Sequence, residues 1–179
     1  NIGEGKPMSA CLFQYIDGVF HFFEEAVIAG ARTEDTLEDM AQRGLLQKNA
    51  RYVLHGDATG RHRDTRSKLS DWQIIINWLD KNKFNGVTME VPNVNPPVRK
   101  RHNIVNGQMK NSLNQRRLFV YSNAKTLDKG FKLTSLKKGG SYIEDDSKPW
   151  QHVTTAAGYG ICAVIEKKGS VGGTTFERF

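Results

Sequence analysis

The dipeptide Asp17-Gly18 does most to fix how this chain folds, because of what stands on either side of it. Residues 8–15 are an apolar run in which Met8, Ala10 and Leu12 alternate with Cys11 and Phe13, and both sets suit burial on the two faces of a strand. Residues 19–28 form a second run of strand character, carrying Glu24 and Glu25. Asp-Gly between two such runs is a tight hairpin signal. An antiparallel ribbon is therefore expected, with one or both faces covered by the rest of the chain.

Beyond the ribbon the chain alternates between helix and strand. Thr33 is expected to cap a helix, with Glu34 and Asp35 in its first turn and Leu37, Met40, Ala41 and Leu45 at helical spacing. The apolar strand beginning Tyr52-Val53-Leu54 then runs to Asp57. Ser70-Asp71-Trp72-Gln73 has the pattern of a capping box, and Trp72, Ile75, Ile76 and Leu79 predict a core-facing stripe. Residues 86–91 read as a short buried strand, which Asn95-Pro96-Pro97 breaks while starting a helix. In that helix Val98, His102, Val105 and Met109 share one face, while Arg99, Lys100, Asn103, Asn106 and Lys110 project elsewhere.

Residues 117–121 are a further strand. The runs 133–136 and 141–143 flank Lys137-Lys138-Gly139-Gly140 and suggest a second hairpin. Residues 152–165 read as a final helix that Gly158 and Gly160 weaken. One domain over residues 1–168 and a flexible tail over 169–179 are expected, with no internal repeat. A ribbon succeeded by alternating elements gives an α/β fold, a mixed central sheet flanked by helices. This order fits the ribonuclease H/resolvase-like class, in which acids converge from separated strand ends and the last helix.

Composition narrows the function. A chain of 179 residues suits one domain with a sizeable core, and 38% hydrophobic with 25% charged residues is globular rather than disordered. The formal net charge is +7, much of it in three clusters at residues 61–68, 99–101 and 116–117. Clustered positive charge favours a polyanion such as nucleic acid. Cys11 and Cys162 lie far apart in apolar runs, as buried reduced thiols of an intracellular protein would. No apolar run is long enough to span a bilayer, and no signal peptide is visible. The start at Asn1 without a Met reads as an excised domain of something longer.

The chemistry concentrates around Gly56-Asp57-Ala58-Thr59-Gly60, where an apolar strand ends in one acid and a small-residue turn. A strongly basic loop comes next, with Arg61, Arg63, Arg66 and Lys68. A carboxylate fixed at a strand end suits Mg²⁺, a hard cation that takes one or two such oxygens plus water and substrate phosphate. The neighbouring cations suit phosphate contacts. The same stretch also suits a buried strand running into an Asp-containing turn with a solvated basic loop. His55 and His62 match no tetrahedral zinc spacing, and no nucleophile elbow is present.

Five segments occur in order: Gly56-Asp57-Ala58-Thr59-Gly60-Arg61; Ser70-Asp71-Trp72; Asn95-Pro96-Pro97-Val98-Arg99-x-Arg101-x-Asn103-x-Val105-Asn106; Arg116-Arg117-Leu118-Phe119-Val120; and His152-x-x-x-Ala156-x-Gly158-Tyr159. Together they resemble the C-terminal nuclease domain of the large terminase subunit of tailed bacteriophages, up to about Tyr159. The resemblance implies a ribonuclease H/resolvase-like fold and a metal-dependent endonuclease that cuts concatemeric double-stranded DNA into genome lengths. It implies Mg²⁺ or Mn²⁺ as cofactor. Its partners would be DNA, a terminase ATPase domain, the small terminase subunit and the portal, in the host cell cytoplasm during virus assembly and with no membrane. No phosphate-binding loop of an ATPase is present in this chain.

Two departures from the family pattern stand out. Its first acid lies in an Asp-x-Asn pattern on the first strand; either Asn1 is that Asn and the acid precedes it, or Asn1 stands in the acid's place. On the last helix Thr155 stands where the third Asp is expected. The catalytic candidates are then Asp57, Glu25, Asp146 and His152, and the metal ligands Asp57, Asp145 and Asp146.

Two ions about 4 Å apart would clamp the scissile phosphate, with Asp57 bridging them. Glu25 would reach the cluster from a strand end, or be a solvated edge carboxylate. Asp145 and Asp146, just before the last helix, would supply the missing charge or form a polar loop. His152 would position water or protonate the leaving group, or be a core histidine. Arg61, Arg63, Arg66, Lys68, Arg99 and Arg101 are the DNA-binding candidates, the last two alternatively pairing with acids such as Glu90. The rival readings are a DNA-binding or motor-docking module with an incomplete nuclease centre, and a cellular junction resolvase or ribonuclease H relative.

Overall fold

A computed structural model describes residues 7–62, 68–137, 142–145 and 147–171 of the chain, the side chains of the last helix as far as Gly169. The hairpin forms as the sequence dictates. β1 (Pro7–Ile16) and β2 (Val19–Ala29) are antiparallel, and Asp17 and Gly18 turn between them with φ of 50° and 86°. Two successive positive φ values match the right-handed twist of the strands, and Gly takes the second without a Cβ penalty.

α1 (Thr33–Gln42) begins one residue earlier than expected, because Arg32 rather than Thr33 is the N-cap. Asp35 reaches back to accept from the Arg32 backbone N–H at 3.0 Å. The Thr33 hydroxyl donates instead to Asp71 at 2.9 Å, tying α1 to the start of α2 (Asp71–Lys81). α2 has the expected capping box at Ser70 and Gln73. Its stripe is only partly core: Leu79 is buried, but Ile76 is 37% exposed. The reason is that α2 borders a small sheet, and Ile76 lines an open groove with Trp72 and Arg61.

That sheet pairs β3 (Tyr52–Leu54) with β4 (Val87–Met89) in parallel. A second sheet has the order β1-β2-β5, with β5 (Leu118–Val120) parallel to β2. Among the described residues the two sheets share no ladder. The Phe13 ring on β1 stacks on His55 with centroids 6.2 Å apart, and α1 packs on β1, β2 and α2. The result is a mixed α/β fold with five α-helices among the described residues.

α3 (Val98–Met109) starts after Pro97, as the Pro-Pro break predicts. α4 (Lys125–Leu133) is a helix without a local sequence signal, since Gly130 sits inside it and Ala124 offers no capping side chain. Its cap comes from elsewhere: both carboxylate oxygens of Glu25 accept 2.8 Å bonds, one from the Thr126 N–H and one from the Leu127 N–H. α5 (Pro149–Val171) is longer than the expected 152–165 and continues past residue 169, into the stretch that reads as tail. Its glycines serve close contact: a Cβ on Gly160 would come within 2.8 Å of the Phe13 ring. Of the expected second hairpin the described residues show one bridge, Leu136 with Glu144, and residues 138–141 lie outside them.

The core lies where α3, α4 and α5 cover β2: Phe20, Phe22, Val105, Ala124, Leu127, Val153, Ala157 and Ile161. Cys11 and Cys162 are free thiols, and burial pushes them up to about 12 and about 11, so both are protonated at neutral pH. No helix among the described residues is long and apolar enough to cross a membrane.

Candidate functional site

β3 ends at Leu54, three residues short of Asp57. His55 leaves the ladder to stack on Phe13, and its Nδ1 lies 3.2 Å from the Glu90 carbonyl oxygen. Asp57 then caps a short 3₁₀ turn, Ala58–Arg61. Its Oδ1 accepts three bonds of 2.7 Å, from the Thr59 N–H, the Thr59 hydroxyl and Asn95 Nδ2. Asn95 completes a two-point clamp, its Oδ1 accepting from the Ala58 N–H at 2.8 Å. No described residue donates to Asp57 Oδ2. The carboxylate is thus held by one oxygen and presents the other.

The glycines of the motif have a packing role. Trp72 Nε1 donates to the Asp57 carbonyl at 2.8 Å, and the indole lies against the turn. A Cβ on Gly56 or on Gly60 would stand 2.8 Å from that ring. The spacing Gly56-Asp57-Ala58-Thr59-Gly60 is therefore what allows a tryptophan to brace the acid's backbone. Replacing Trp72 with Phe removes one hydrogen bond, at a cost of about 1 kcal/mol. Urea unfolding measures that cost, and faster amide exchange at Thr59 and Gly60 is the expected local sign.

Burial works to raise the pKa of Asp57, but the bonds from Asn95 and Thr59 and the charge of Arg101 outweigh it and hold the carboxyl below its usual range. Arg101 corrects an expectation. The sequence puts it on DNA or against Glu90, yet it is 3% exposed and its partner is Glu144, Nη2 to Oε2 at 2.5 Å. The residue points inward because Gly158 leaves room for it and the Tyr159 ring lies beneath its guanidinium at 4.7 Å. Glu90 pairs instead with Lys167 at 2.5 Å.

The other Glu144 oxygen lies 2.6 Å from His102 Nε2, and the Thr155 hydroxyl donates to Oε2 at 3.1 Å. Burial opposes the charge on Glu144, but the bonds and charges of His102 and Arg101 hold its carboxyl down at about 2. Thr155, at the position expected for a third Asp, is therefore met by a carboxylate from the preceding segment. That carboxylate is Glu144, not its neighbour Asp145.

The other candidates divide. Glu25 is committed to the α4 cap on another part of the fold, because its position on β2 faces the first turn of that helix. Asp145 accepts from the Ser147 N–H at 3.2 Å, and the Ser147 side chain together with that local turn bond lowers its pKa. Asp146, Arg63 and Arg66 lie outside the described residues. His152 is half-buried in the first turns of α5, three residues before Thr155. Lys68 and Arg99 are exposed, and Arg61 is exposed while one guanidinium nitrogen donates to the Val91 carbonyl at 2.7 Å.

Beside Asp57 an open groove of ≈ 450 Å³ runs between the 90–97 segment, α3 and α5, lined in part by Asn95, Pro97, Lys100, Tyr159 and Glu166. Among the described residues no three His, Cys, Asp or Glu side chains stand together as a metal site. Asn95, Trp72 and Glu144 are the site residues that sequence reasoning misses. Asn95 is visible there only as a helix breaker and Trp72 only as core, and nothing in the local sequence marks Glu144. Comparison with protein-family models, curated proteins and solved structures finds no match to this chain.

Proposed function

We propose that this chain is the ribonuclease H-like nuclease domain of a DNA-packaging terminase, a Mg²⁺- or Mn²⁺-dependent endonuclease acting on concatemeric double-stranded DNA. The observation that carries the reading is Asp57: a carboxylate held below its usual pKa range, bonded through one oxygen with no described donor on the other, next to a turn that carries Arg61. Its Oδ2 suits a divalent cation. The described residues do not complete a two-ion centre, since Glu144 is neutralised by Arg101 and His102 and Glu25 caps a helix. The work of the chain's own residues in this reading is to fix Asp57 and to hold the DNA backbone through the exposed cations Arg61, Lys68 and Arg99. The ATPase domain, small subunit and portal would be its partners, in the host cytoplasm.

A second reading is a DNA-binding or motor-docking module whose nuclease centre is incomplete. Thr155 favours it, as does the neutralised state of the nearest carboxylate. Plasmid cleavage in Mn²⁺, Mg²⁺ and EDTA separates the two. In the first reading Mn²⁺ supports nicking and linearisation, and EDTA or Asp57→Ala abolishes both. A folded chain that binds duplex DNA but cuts in neither metal belongs to the second. In both, duplex affinity falls steeply with salt, by roughly tenfold or more between 50 and 200 mM for several phosphate contacts, and Asp57→Ala leaves that slope unchanged.

A further inference from the structure

Three donors on two helices close on a single carboxylate. Arg101 Nη2 and His102 Nε2, neighbours on α3, stand 2.5 and 2.6 Å from the two oxygens of Glu144, and Thr155 Oγ1 on α5 donates to one of them at 3.1 Å. The donors are held rigidly. The Arg101 stem fills the notch at Gly158, where a Cβ would lie 2.8 Å from its Cδ, and its guanidinium rests 4.7 Å over Tyr159. Gln151 Nε2 donates to Thr155 Oγ1 at 3.0 Å, which leaves the hydroxyl proton for the carboxylate.

The acceptor is held differently. Glu144 sits on a surface segment outside the helices, bridged to Leu136 and preceded by Tyr142 and Ile143, which are 44% and 52% exposed. A guanidinium fork, an imidazole and a hydroxyl converging on one point are the donors that recognise a phosphate oxyanion. A carboxylate supplies two of the oxygens a phosphate would bring.

We propose that Arg101, His102 and Thr155 form a pocket for a phosphate group, and that Glu144 occupies it as a built-in competitor which the arriving phosphate displaces. Arg101 is 3% exposed, and a guanidinium so deeply buried is not left without a counter-anion. Glu144 therefore leaves as another anion enters, and the two events are one exchange. Asp57 is another acid in the field of Arg101, and its carboxylate makes none of the pocket's hydrogen bonds. The pocket requires neither a metal nor a cut strand, so it stands apart from the nuclease reading. A nucleic-acid backbone and free phosphate both carry the group it fits.

The test is thermal unfolding of the full chain in sodium phosphate against sodium chloride at equal ionic strength, with Glu144→Gln to empty the pocket. Phosphate should raise the melting temperature of Glu144→Gln by about 3 °C or more over chloride, while the unchanged chain moves by less than about 1 °C. Adding Arg101→Met should remove the gain. Equal gains in both proteins, or a gain that survives Arg101→Met, would overturn the proposal. If Glu144→Gln does not fold, Glu144→Asp takes its place, since drawing the carboxylate back by one methylene weakens the competitor but keeps its charge.

A short DNA duplex forms the second arm. About tenfold tighter duplex binding by Glu144→Gln, with no comparable gain for the charge-matched Asp145→Asn, assigns the pocket to the nucleic-acid backbone. A phosphate gain without a duplex gain assigns it to free phosphate.

Discussion

Glu144→Ala should lower the stability of this chain by about 3–5 kcal/mol in chloride buffer, the cost of leaving a buried charge without its partner. The guanidinium of Arg101 would keep the Tyr159 ring beneath it but lose its 2.5 Å bond to a carboxylate. The loss belongs to the pair, so Glu144→Ala combined with Arg101→Met should recover more than half of it. Urea unfolding of the two single variants and the double variant gives the coupling directly. Simple additivity of the single effects would show that the pair is not what holds α3 to the segment before α5.

The same residue sets an acid limit. The Glu144 carboxyl is held at about 2 against an ordinary 4.5, so its folded-state pKa is depressed. Its contribution is fully present above about pH 4.5 and is lost as the pH falls toward 2. Asp57, also held low, adds to the loss on the same side. In Glu144→Gln the stability profile across that window should be visibly flatter.

Phe22→Ala should cost a similar amount, about 3–5 kcal/mol, by a different route. Its side chain is fully buried, with ring centroids 5.0 Å from Phe13 and 6.1 Å from Phe131. Truncation leaves a cavity under α5, the helix that carries Thr155 and Tyr159. No charged partner compensates here, so the destabilisation should be independent of pH between about 3 and 7, unlike that of Glu144→Ala. Parallel urea titrations at the two pH values distinguish the cases.

The elements that local chemistry specifies are legible in the sequence. Asp17-Gly18 announces its hairpin, Ser70 with Gln73 its capping box, and Pro96-Pro97 the start of α3. What stays hidden depends on residues far apart in the chain. α4 is capped by Glu25, roughly a hundred residues earlier, so no window around residue 125 contains its start signal. Arg101 looks like a surface cation because nothing beside it reveals the notch at Gly158 or the carboxylate of Glu144. The turn that holds Asp57 is legible because its motif is local. The asymmetry of the carboxylate, one oxygen bonded and the other with no described donor, is not, because Asn95 lies beyond α2 in the chain.

Among the described residues the two sheets share no ladder, and this bears on how the candidate site is held together. Asp57 hangs from the β3–β4 side, while Arg101, Thr155 and Tyr159 sit on helices that cover β2 or pack on one another. Contacts such as Phe13 on His55 and Thr33 to Asp71 bridge the sides, and these yield without breaking a strand pair. Among the described residues, the spacing of the acid from the cations is thus set by side-chain contacts rather than by a shared ladder. A ligand that grips both sides would add a link between the two sheets that no strand pair supplies, and one that touches a single side would not.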